Sequence, residues 1–264
     1  MIVSKYCASG NDFLIFHTLE SKDRSTMAVN LCNRFYGIGA DGLVILLPYT
    51  QTLSNSQDKI AYKWEFYNSD GSMANMCGNA SRAVSLYAYH NNLAPLRHSF
   101  LSKVGVIQTQ IQEIINPKEA FVQSNLGSYK FERSVVEHHK ENIYNFELII
   151  MGIPHLVCHT DSMYDFNLLS VDLEFLAKLR NKYNANVNIA FRNNQTIHYA
   201  TFERGVEGIT QACGTGACAV YVSYKDFQRE YTLIPPSKER LVVSCKEKQI
   251  HFAGIVHKVC DCML

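Results

Sequence analysis

Two stretches of the sequence would be apolar on almost every face if they formed helices. The first follows Cys77 and the second follows Cys213. A helix that is apolar all round is buried inside its own domain, whereas a single apolar stripe is typical of a surface helix. The pattern therefore predicts two buried helices, each of which begins near a cysteine. Their apolar members are Ala80, Ala83, Val84, Leu86, Tyr87 and Ala88 in the first helix and Ala217, Cys218, Ala219, Val220, Tyr221 and Val222 in the second.

The remaining hydrophobic pattern predicts two amphipathic helices and a series of short strands. The helices are expected over residues 21–36 and 171–183, where apolar side chains recur with a period of about 3.6. The polar stretch 50–58 is predicted to be a surface loop, and the charged stretch 134–142 is predicted to be exposed. Short apolar runs predict strands at 1–7, in the run that ends at Phe16, and at 43–47, 60–67, 97–103, 106–111, 120–123, 146–150, 186–191, 196–202, 241–244, 249–253 and 256–259.

The order of the predicted elements occurs twice along the chain. Each half runs through a strand, a glycine-bearing loop, an amphipathic helix, strands, a polar loop, a buried cysteine helix and further strands. We therefore predict an N-terminal domain of residues 1–116 that carries Cys77 and a C-terminal domain of residues 117–254 that carries Cys213. The last strand, about residues 255–264, is expected to complete the N-terminal domain. A chain of 264 residues is long enough for two such domains.

Composition and charge are those of an ordinary globular protein, with 47% hydrophobic residues and a formal net charge of +1. Because there is no basic run, we expect neither nucleic acid nor an anionic membrane as a partner. Lys5, Asn11 and Asp12 interrupt the apolar N-terminal stretch, which argues against a signal peptide or a membrane span. The nine cysteines are odd in number and lie mostly in apolar segments, which favours reduced thiols. We therefore expect a cytoplasmic protein.

The two cysteines at the helix starts are the first candidates for chemistry. The motif Met-Cys-Gly-Asn-Ala at 76–80 is echoed by Ala-Cys-Gly-Thr-Gly-Ala-Cys at 212–218. The first N–H groups of a helix lack intrahelical partners, and the glycines leave them open to an anion such as a carboxylate. The same position lowers the pKa of a thiol from about 8.5 to roughly 3.5–7.5. Either motif alone could equally be a capped helix start, and it is their duplication that favours a functional pair.

Metal and nucleotide sites have no support in the sequence, so we expect neither a metal nor a cofactor. The chain contains no C-x-x-C, H-E-x-x-H, P-loop or G-x-G-x-x-G motif. The segment Cys260-Asp261-Cys262 is predicted to place two thiols on one face of a last strand. We interpret the cysteines outside the two helix starts as small hydrophobic residues, namely Cys7, Cys32, Cys158, Cys218, Cys245, Cys260 and Cys262.

A series of short motifs, spread over nearly the whole chain, resembles the diaminopimelate epimerase family. The motifs are Gly10-Asn11-Asp12-Phe13, Gly37-Ile38-Gly39-Ala40-Asp41-Gly42, Asn68-Ser69-Asp70-Gly71-Ser72 with Met76-Cys77-Gly78-Asn79, Pro154-His155, Asn186-Val187, Glu203-Arg204-Gly205 and Ala212-Cys213-Gly214-Thr215-Gly216-Ala217-Cys218. The resemblance implies an α/β (α+β) fold of two pseudo-symmetric halves. Each half would be a curled, mainly antiparallel sheet around a central helix, with the active site in the cleft between them.

The resemblance also implies a reaction and roles for individual residues. Members of this family are cofactor-independent epimerases that convert LL-2,6-diaminopimelate to the meso form with two thiols, here Cys77 and Cys213. It places His155 and Glu203 beside the thiols. The implied substrate-binding residues are Asn11, Asn68, Gly78, Asn79, Asn186, Arg204, Gly214 and Thr215. The expected partner is a small amino acid, and a homodimer is one alternative for the oligomeric state.

From the residues alone, blander interpretations stay open. Arg204 could form a surface ion pair, His155 could be a core histidine, and Asn11 or Asn186 could serve only in a turn. The chain also departs from the family pattern at Ile153 (where asparagine is usual), at Ala80 (where glycine is common), and by one extra residue before Cys213. Ile153 leaves open a related racemase of another amino acid.

Two further classes of protein are compatible with the cysteines. One is a cysteine hydrolase that uses Cys77 or Cys213 with His155. The other is a thiol redox or non-catalytic binding protein, although no C-x-x-C supports the redox version.

Overall fold

The computed structural model describes residues 1–49 and 60–264 of the chain. The stretch 50–58, predicted to be a surface loop, lies outside the described residues. The chain forms two compact units, of which the first comprises Met1–Asn125 and Ala253–Leu264 and the second comprises Leu126–Phe252. In the part of the chain that the structure describes, no helix is both long and apolar enough to cross a lipid bilayer.

The first unit contains the following elements: β1 (Ile2–Ala8), β2 (Asn11–His17), α1 (Ser25–Cys32), β3 (Gly42–Pro48), β4 (Ile60–Asn68), α2 (Gly78–His90), β5 (Arg97–Ser102), β6 (Gly105–Asn116), β7 (Glu119–Asn125) and, from Ala253 onward, β16 (Gln249–Met263). Its described strands run in the order β1 to β7 and then β16, and β16 also pairs with β1, so the sheet closes on itself. The buried helix α2 lies against β1, β2, β6 and β7.

The sheet of the first unit is covered on both faces, and strand β3 shows how the sequence achieves this. Val44 and Leu46 join the core around α2, whereas Leu43, Ile45 and Leu47 join the core under α1. All five side chains are buried. A strand that is buried on both faces has a continuous apolar sequence rather than an alternating one. The run predicted at 43–47 is therefore confirmed as a strand.

The second unit contains β8 (Lys130–His139), β9 (Asn142–Met151), β10 (Ile153–His159), α3 (Met163–Ser170), α4 (Leu173–Tyr183), β11 (Asn186–Asn193), β12 (Thr196–Glu203), β13 (Gly208–Ile209), α5 (Gly214–Ser223), β14 (Tyr231–Ile234) and β15 (Leu241–Lys246), with the start of β16. Its strand order is β16-β15-β14-β12-β11-β10-β9-β8, and β13 pairs with β12. The buried helix α5 lies against β9, β10, β11, β12 and β15, while α3 and α4 contact β11 and β12.

Both units repeat one order of connections, which confirms the predicted repeat. In the first unit, β2 and β3 are parallel across α1, and β4 and β5 are parallel across α2. In the second unit, β10 and β11 are parallel across α3 and α4, and β12 and β14 are parallel across α5. Most other pairings are antiparallel, as in the strand pairs β3–β4 and β11–β12. The predicted class, α/β (α+β) with a mainly antiparallel sheet around a central helix in each half, is confirmed.

Helix α1 is shorter than the predicted span 21–36. It begins at Ser25 and ends at Cys32, because the Asn33 side-chain oxygen accepts hydrogen bonds from the backbone N–H groups of Phe35 and Tyr36. These bonds turn the chain away from the helix axis. Gly37 then lies so close to the helix that a Cβ there would be 2.2 Å from the carbonyl oxygen of Asn30. The helix therefore ends where a side chain and a close backbone approach replace its own hydrogen bonds.

Several other sequence predictions need correction. The two strands predicted at 249–253 and 256–259 are one continuous strand, β16, which pairs with β1 from Val256 onward. The stretch 134–142 is largely exposed as predicted, although Glu137 is buried, and most of it belongs to the antiparallel pair β8–β9. Helix α3 was not predicted from the sequence. Finally, the units divide after Asn125 rather than at 116, because β6 and β7 form one hairpin.

Candidate active site

Cys77 is the N-cap residue of α2. Its backbone is extended, and its sulfur accepts a hydrogen bond of 3.5 Å from the backbone N–H of Ala80. The Cys77 carbonyl accepts the N–H of Ser81 at 2.9 Å, which starts the helical ladder. A sulfur in the N-cap position meets an otherwise unpaired N–H and the positive end of the helix dipole. This position favours the ionised form of a thiol.

Cys213 caps α5 in the same way. Its sulfur accepts a hydrogen bond of 3.4 Å from the N–H of Gly216, and its carbonyl accepts the N–H of Ala217 at 2.9 Å. The Thr215 hydroxyl lies 3.6 Å from the same sulfur. The duplicated motif thus produces duplicated geometry, since in both units the sulfur occupies the place of the oxygen in an ordinary serine or threonine cap.

Gly216, in the first turn of α5, lies very close to two polar side chains. A Cβ at this position would lie 2.6 Å from Asn188 Oδ1 and 2.6 Å from Thr201 Oγ1. The Thr201 hydroxyl donates a hydrogen bond of 2.8 Å to Asn188 Oδ1, and both side chains are buried. These two polar side chains form a floor under the first turn of α5, so the glycine lets the helix start rest directly on them.

Glu203 is the acidic group associated with Cys213. It ends strand β12 and forms a side-chain hydrogen bond with the Cys213 thiol. Burial raises the pKa of the Glu203 carboxyl above its usual value, while the side chains of Thr210 and Cys213 act in the opposite direction. The structure therefore brings together two of the predicted catalytic residues, Glu203 and Cys213.

His155 lies on β10 in the same unit and is fully buried. Asn188 Nδ2 lies 3.2 Å from its Nδ1, so the amide donates and Nδ1 accepts, which puts the ring proton on Nε2. This Nε2 is buried and finds no hydrogen-bond partner among the described residues. Burial lowers the pKa of His155 to about 3. His155 is thus a neutral ring with an unused N–H donor.

Asn186 and Arg204 lie in the neighbourhood of His155 and Glu203. Asn186 pairs with His155 in the parallel register of β10 and β11, and its Oδ1 accepts the backbone N–H of Arg204 at 2.8 Å. The Nδ2 of Asn186 is buried without a partner among the described residues. The Arg204 side chain is exposed and reaches the side-chain oxygen of Asn184 at 3.3 Å.

In the first unit, the structure groups Asn11 and Asn79 with Cys77. Asn79 is the second residue of α2, and its Nδ2 donates a hydrogen bond of 2.7 Å to Asn11 Oδ1. Asn68 is exposed at the end of β4 and donates to the Ser72 hydroxyl at 2.9 Å. Asn68 lies opposite Gly42 in the register of β3 and β4, next to Asp41.

The cysteines outside the two helix starts differ in their burial. Cys32, Cys158 and Cys218 are buried, as expected for small hydrophobic residues. Cys260 is exposed, so that interpretation is wrong for this residue, and its sulfur lies 3.8 Å from that of Cys262. Among the described residues, no group of three or more His, Cys, Asp and Glu side chains is arranged to hold a metal ion.

Sequence reasoning missed Asn188 and Thr201. Asn188 lies two residues after Asn186 on β11, so both side chains face the same side of the strand. This spacing was the available signal, since a second buried amide in an apolar strand indicates a polar partner. A separate cavity of about 1010 Å³ in the second unit, lined mainly by the β11–β12 turn with Asp226, Arg229 and Tyr231, contains none of the predicted site residues.

The fold is shared with solved structures of a probable racemase and of an epimerase. A probable proline racemase from Agrobacterium radiobacter superposes with a TM-score of 0.71 at 10% identity, covering 100% of this chain and 92% of that one. A hydroxyproline epimerase from Agrobacterium vitis gives a TM-score of 0.71 at 10% identity, covering 99% and 91%. At such identities the likeness shows the fold alone.

Sequence comparison defines the family more narrowly. The profile of the family described as diaminopimelate epimerase matches residues 3–132 and 148–253. The chain is 44% identical over 273 residues to the diaminopimelate epimerase of a Helicobacter pylori strain, covering 98% of this chain and 95% of that protein. It is 40% identical over 265 residues to the diaminopimelate epimerase of a Nitratiruptor species, covering 98% and 96%. The chain belongs to the diaminopimelate epimerase family.

Proposed function

We propose that this protein is an isomerase that converts LL-2,6-diaminopimelate to meso-diaminopimelate, a precursor of lysine and peptidoglycan, without a cofactor. Family membership supports the substrate. The observation that carries the proposal is the duplication of one geometry, in which Cys77 and Cys213 each cap a buried helix and accept an N–H bond from the third helical residue. Two equivalent thiols are what the inversion of a single carbon requires.

Inversion needs two groups because the hydrogen leaves one face of the α-carbon and another hydrogen arrives at the opposite face. In the proposed step, one cysteine thiolate takes the α-proton and becomes a thiol. The pair of electrons stays on the substrate as a carbanion conjugated with the α-carboxylate. The other cysteine then gives its proton to the opposite face and becomes a thiolate, so the two thiols exchange states in every turnover.

The two thiols are proposed to differ before the reaction starts. The Cys213 thiol is hydrogen-bonded to the Glu203 carboxyl, and this bond lowers the pKa of the carboxyl. A bond with that effect is one in which the S–H group is the donor and the carboxylate is the acceptor. This supports Cys213 as the thiol that gives a proton and Cys77 as the thiolate that takes one, when the substrate enters in one of its two configurations. In the reverse direction the roles are exchanged.

Stabilisation of the carbanion is proposed to be the larger energetic contribution. A helix dipole favours a charge by about 0.3–1 kcal/mol, and up to about 2 kcal/mol in partly buried positions. Each preorganised donor aimed at a developing negative charge contributes about 2.7–4 kcal/mol. The candidate donors are the backbone N–H groups at Gly78 and Gly214 and the side chains of Asn79 and Thr215. The His155 Nε2–H, which has no hydrogen-bond partner among the described residues, is a further candidate.

The remaining predicted residues are proposed to hold the far end of the substrate. Arg204 is exposed and its guanidinium can bind a carboxylate through two parallel N–H bonds. Asn186 offers a buried N–H that no described residue uses. Asn68 is proposed to contribute its amide from the end of β4.

The substrate assignment is tested by incubating the purified protein in D2O with LL-diaminopimelate, meso-diaminopimelate, proline or histidine and following α-hydrogen exchange by NMR. We expect exchange and inversion with both diaminopimelate isomers only. The alternative is a racemase of another amino acid, which Ile153, partly buried at the start of β10, favours. Turnover of proline or histidine without turnover of diaminopimelate would replace our assignment by that alternative.

A cysteine hydrolase is supported less well by the surroundings of His155. A general base for a thiol should have a pKa near the working pH. The pKa of His155 is lowered to about 3 by burial, and its Nδ1 is occupied by Asn188. Such a ring is a hydrogen-bond donor rather than a base near neutral pH.

The setting of the reaction is also part of the proposal. We place the protein in the cytoplasm, where the nine cysteines would stay reduced. We propose a small amino acid as its only required partner, and the same assay with dialysed, chelator-treated protein tests the absence of a cofactor. Undiminished turnover would support this, and loss of turnover restored by a metal salt would contradict it.

A further inference from the structure

We propose that Arg82 and Asp41 are positioning residues that orient the side-chain amides of Asn79 and Asn11 beside the first thiol. This inference rests on the proposed function only in that both amides are taken to contact the substrate. The four side chains form a hydrogen-bond relay, which we call the amide relay.

The amide relay is continuous. Arg82 Nη2 donates to Asn79 Oδ1 at 2.7 Å, Asn79 Nδ2 donates to Asn11 Oδ1 at 2.7 Å, and Asn11 Nδ2 donates to Asp41 Oδ2 at 2.9 Å. The relay therefore connects the first turn of α2 with the start of β2 and the loop before β3.

The chemistry of its two ends fixes the direction of the relay. A guanidinium can only donate hydrogen bonds and a carboxylate can only accept them, whereas an amide can turn over and present either its oxygen or its nitrogen. With Arg82 at one end and Asp41 at the other, both amides have one satisfactory orientation. An amide nitrogen carries two N–H donors, so Asn11 keeps a second donor after it has bonded to Asp41. The relay thus directs N–H donors, rather than carbonyl oxygens, to an anionic ligand.

Arg82 is held in place by deep burial. Its side chain is fully buried, Asn79 is 1% exposed, and the same Nη2 also donates to the Ser9 hydroxyl at 2.8 Å. Its Nη1 donates to the carbonyl of Ile255 at 3.4 Å. A buried charge is costly unless it is well hydrogen-bonded. The guanidinium of Arg82 is therefore expected to keep the orientation in which these three acceptors receive its N–H groups.

Asp41 is held at the other end by Arg34. The Arg34 Nη2 donates to Asp41 Oδ1 at 2.8 Å, which leaves Oδ2 for Asn11. Arg34 also makes two hydrogen bonds to Asp12, and Lys5 forms an ion pair with Asp12 at 2.9 Å. The carboxylate that ends the relay is therefore part of a charged network that fixes its position.

The second helix start has no counterpart of Arg82 at the equivalent position. Arg82 lies five residues after Cys77, and the residue five after Cys213 is Cys218, which is buried in an apolar core. The two helix starts share their capping geometry but differ in the groups behind them. We infer that the relay serves substrate orientation at Cys77 and is not a general requirement of a thiol cap.

The first test compares three variants on the purified full chain. Arg82→Lys keeps the charge but replaces the planar fork, and Asp41→Asn removes the obligatory acceptor so that Asn11 can turn over. Each should lower kcat/KM for diaminopimelate about tenfold to a hundredfold. Ser85→Ala is the matched control, since Ser85 is fully buried on α2 and donates to Thr109 at 3.0 Å outside the relay. It should change kcat/KM by less than about threefold, even where its unfolding midpoint falls as far as that of the relay variants.

The second readout does not depend on turnover. In NMR spectra of the free protein, the side-chain N–H signals of Asn79 should shift in Asp41→Asn, and those of Asn11 should shift in Arg82→Lys, because the change travels along the relay. Neither pair should shift in Ser85→Ala. Unchanged amide signals together with control-like kinetics in the relay variants would overturn the inference. A wild-type protein that turns over no diaminopimelate would instead refute the proposed function, while the amide signals would still decide the relay.

Discussion

Asn188 Nδ2 donates a hydrogen bond of 3.2 Å to His155 Nδ1, which leaves the other ring nitrogen of this fully buried histidine as a donor. This hydrogen bond requires a neutral ring, because a protonated Nδ1 could not accept it. Burial also disfavours the charged ring, and no acidic group contributes to the pKa of His155 to offset this. Neutrality of His155 has a consequence for stability.

We predict that the unfolded protein binds a proton at His155 below about pH 6.5, whereas the folded protein does so only near pH 3. The free energy of unfolding should therefore fall as the pH decreases from about 6.5 toward 3, by up to about 1.4 kcal/mol per pH unit from this residue. Urea unfolding of wild type and His155→Gln between pH 5 and 7 measures this contribution. The wild-type slope should be steeper than that of the variant, and equal slopes would show that the folded histidine titrates normally.

The Glu203 carboxyl is predicted to matter for turnover through its bond to the Cys213 thiol. Glu203→Gln keeps the size of the side chain but removes the acid–base group, so kcat should fall by about a hundredfold or more. Glu207→Gln is the matched control, because Glu207 lies in the same loop and pairs with Arg180 at 2.6 Å instead. Steady-state kinetics of both variants provide the measurement. A similar, small effect in both would argue against a role for Glu203 in proton transfer.

Gly216 is predicted to tolerate no side chain. Gly216→Ala places a Cβ 2.6 Å from both Asn188 Oδ1 and Thr201 Oγ1, so the first turn of α5 must shift. We expect a loss of about 1–3 kcal/mol in the free energy of unfolding and a marked loss of activity. Gly208→Ala, whose new Cβ would meet nothing within 4 Å, should be nearly neutral in the same denaturation experiment. Equal stability of the two variants would show that the helix start can relax.

Each of the two capping thiols is predicted to be indispensable. Cys77→Ala and Cys213→Ala should each lower kcat by at least about a thousandfold, because neither remaining thiol can serve both faces of the α-carbon. Cys260→Ala removes an exposed thiol of β16 and should keep wild-type turnover. If one of the two capping thiols proves dispensable, a single-nucleophile enzyme such as a hydrolase becomes the better explanation.

The sequence predicted the buried helices and their capping cysteines because these depend on local patterns. Apolar residues on all faces place α2 and α5 in the core, and a cysteine followed by glycine places the thiol at the first turn. The repeat of elements was also visible, since each half has its own helix and strand periodicities. These features need no knowledge of distant contacts.

What the sequence did not show depends on tertiary contacts. The floor formed by Asn188 and Thr201 exists because two strands bring their side chains under Gly216. Arg82 gave no sign of its role, because a charged residue in a helix is ordinarily expected on the surface. The end of α1 was missed for the same reason, since the side chain of Asn33 and the approach of Gly37 stop a pattern that is still amphipathic.

The central claim is that two different groups remove and return the hydrogen at one carbon, and isotope content at early times tests it most directly. LL-diaminopimelate is incubated with the enzyme in D2O, and the product and the remaining substrate are analysed by mass spectrometry within the first few per cent of conversion. We predict one deuterium in each molecule of meso product and none in the remaining substrate, because the second thiol delivers a solvent-derived deuteron to the opposite face. Product that retains its original α-hydrogen would contradict the two-thiol account.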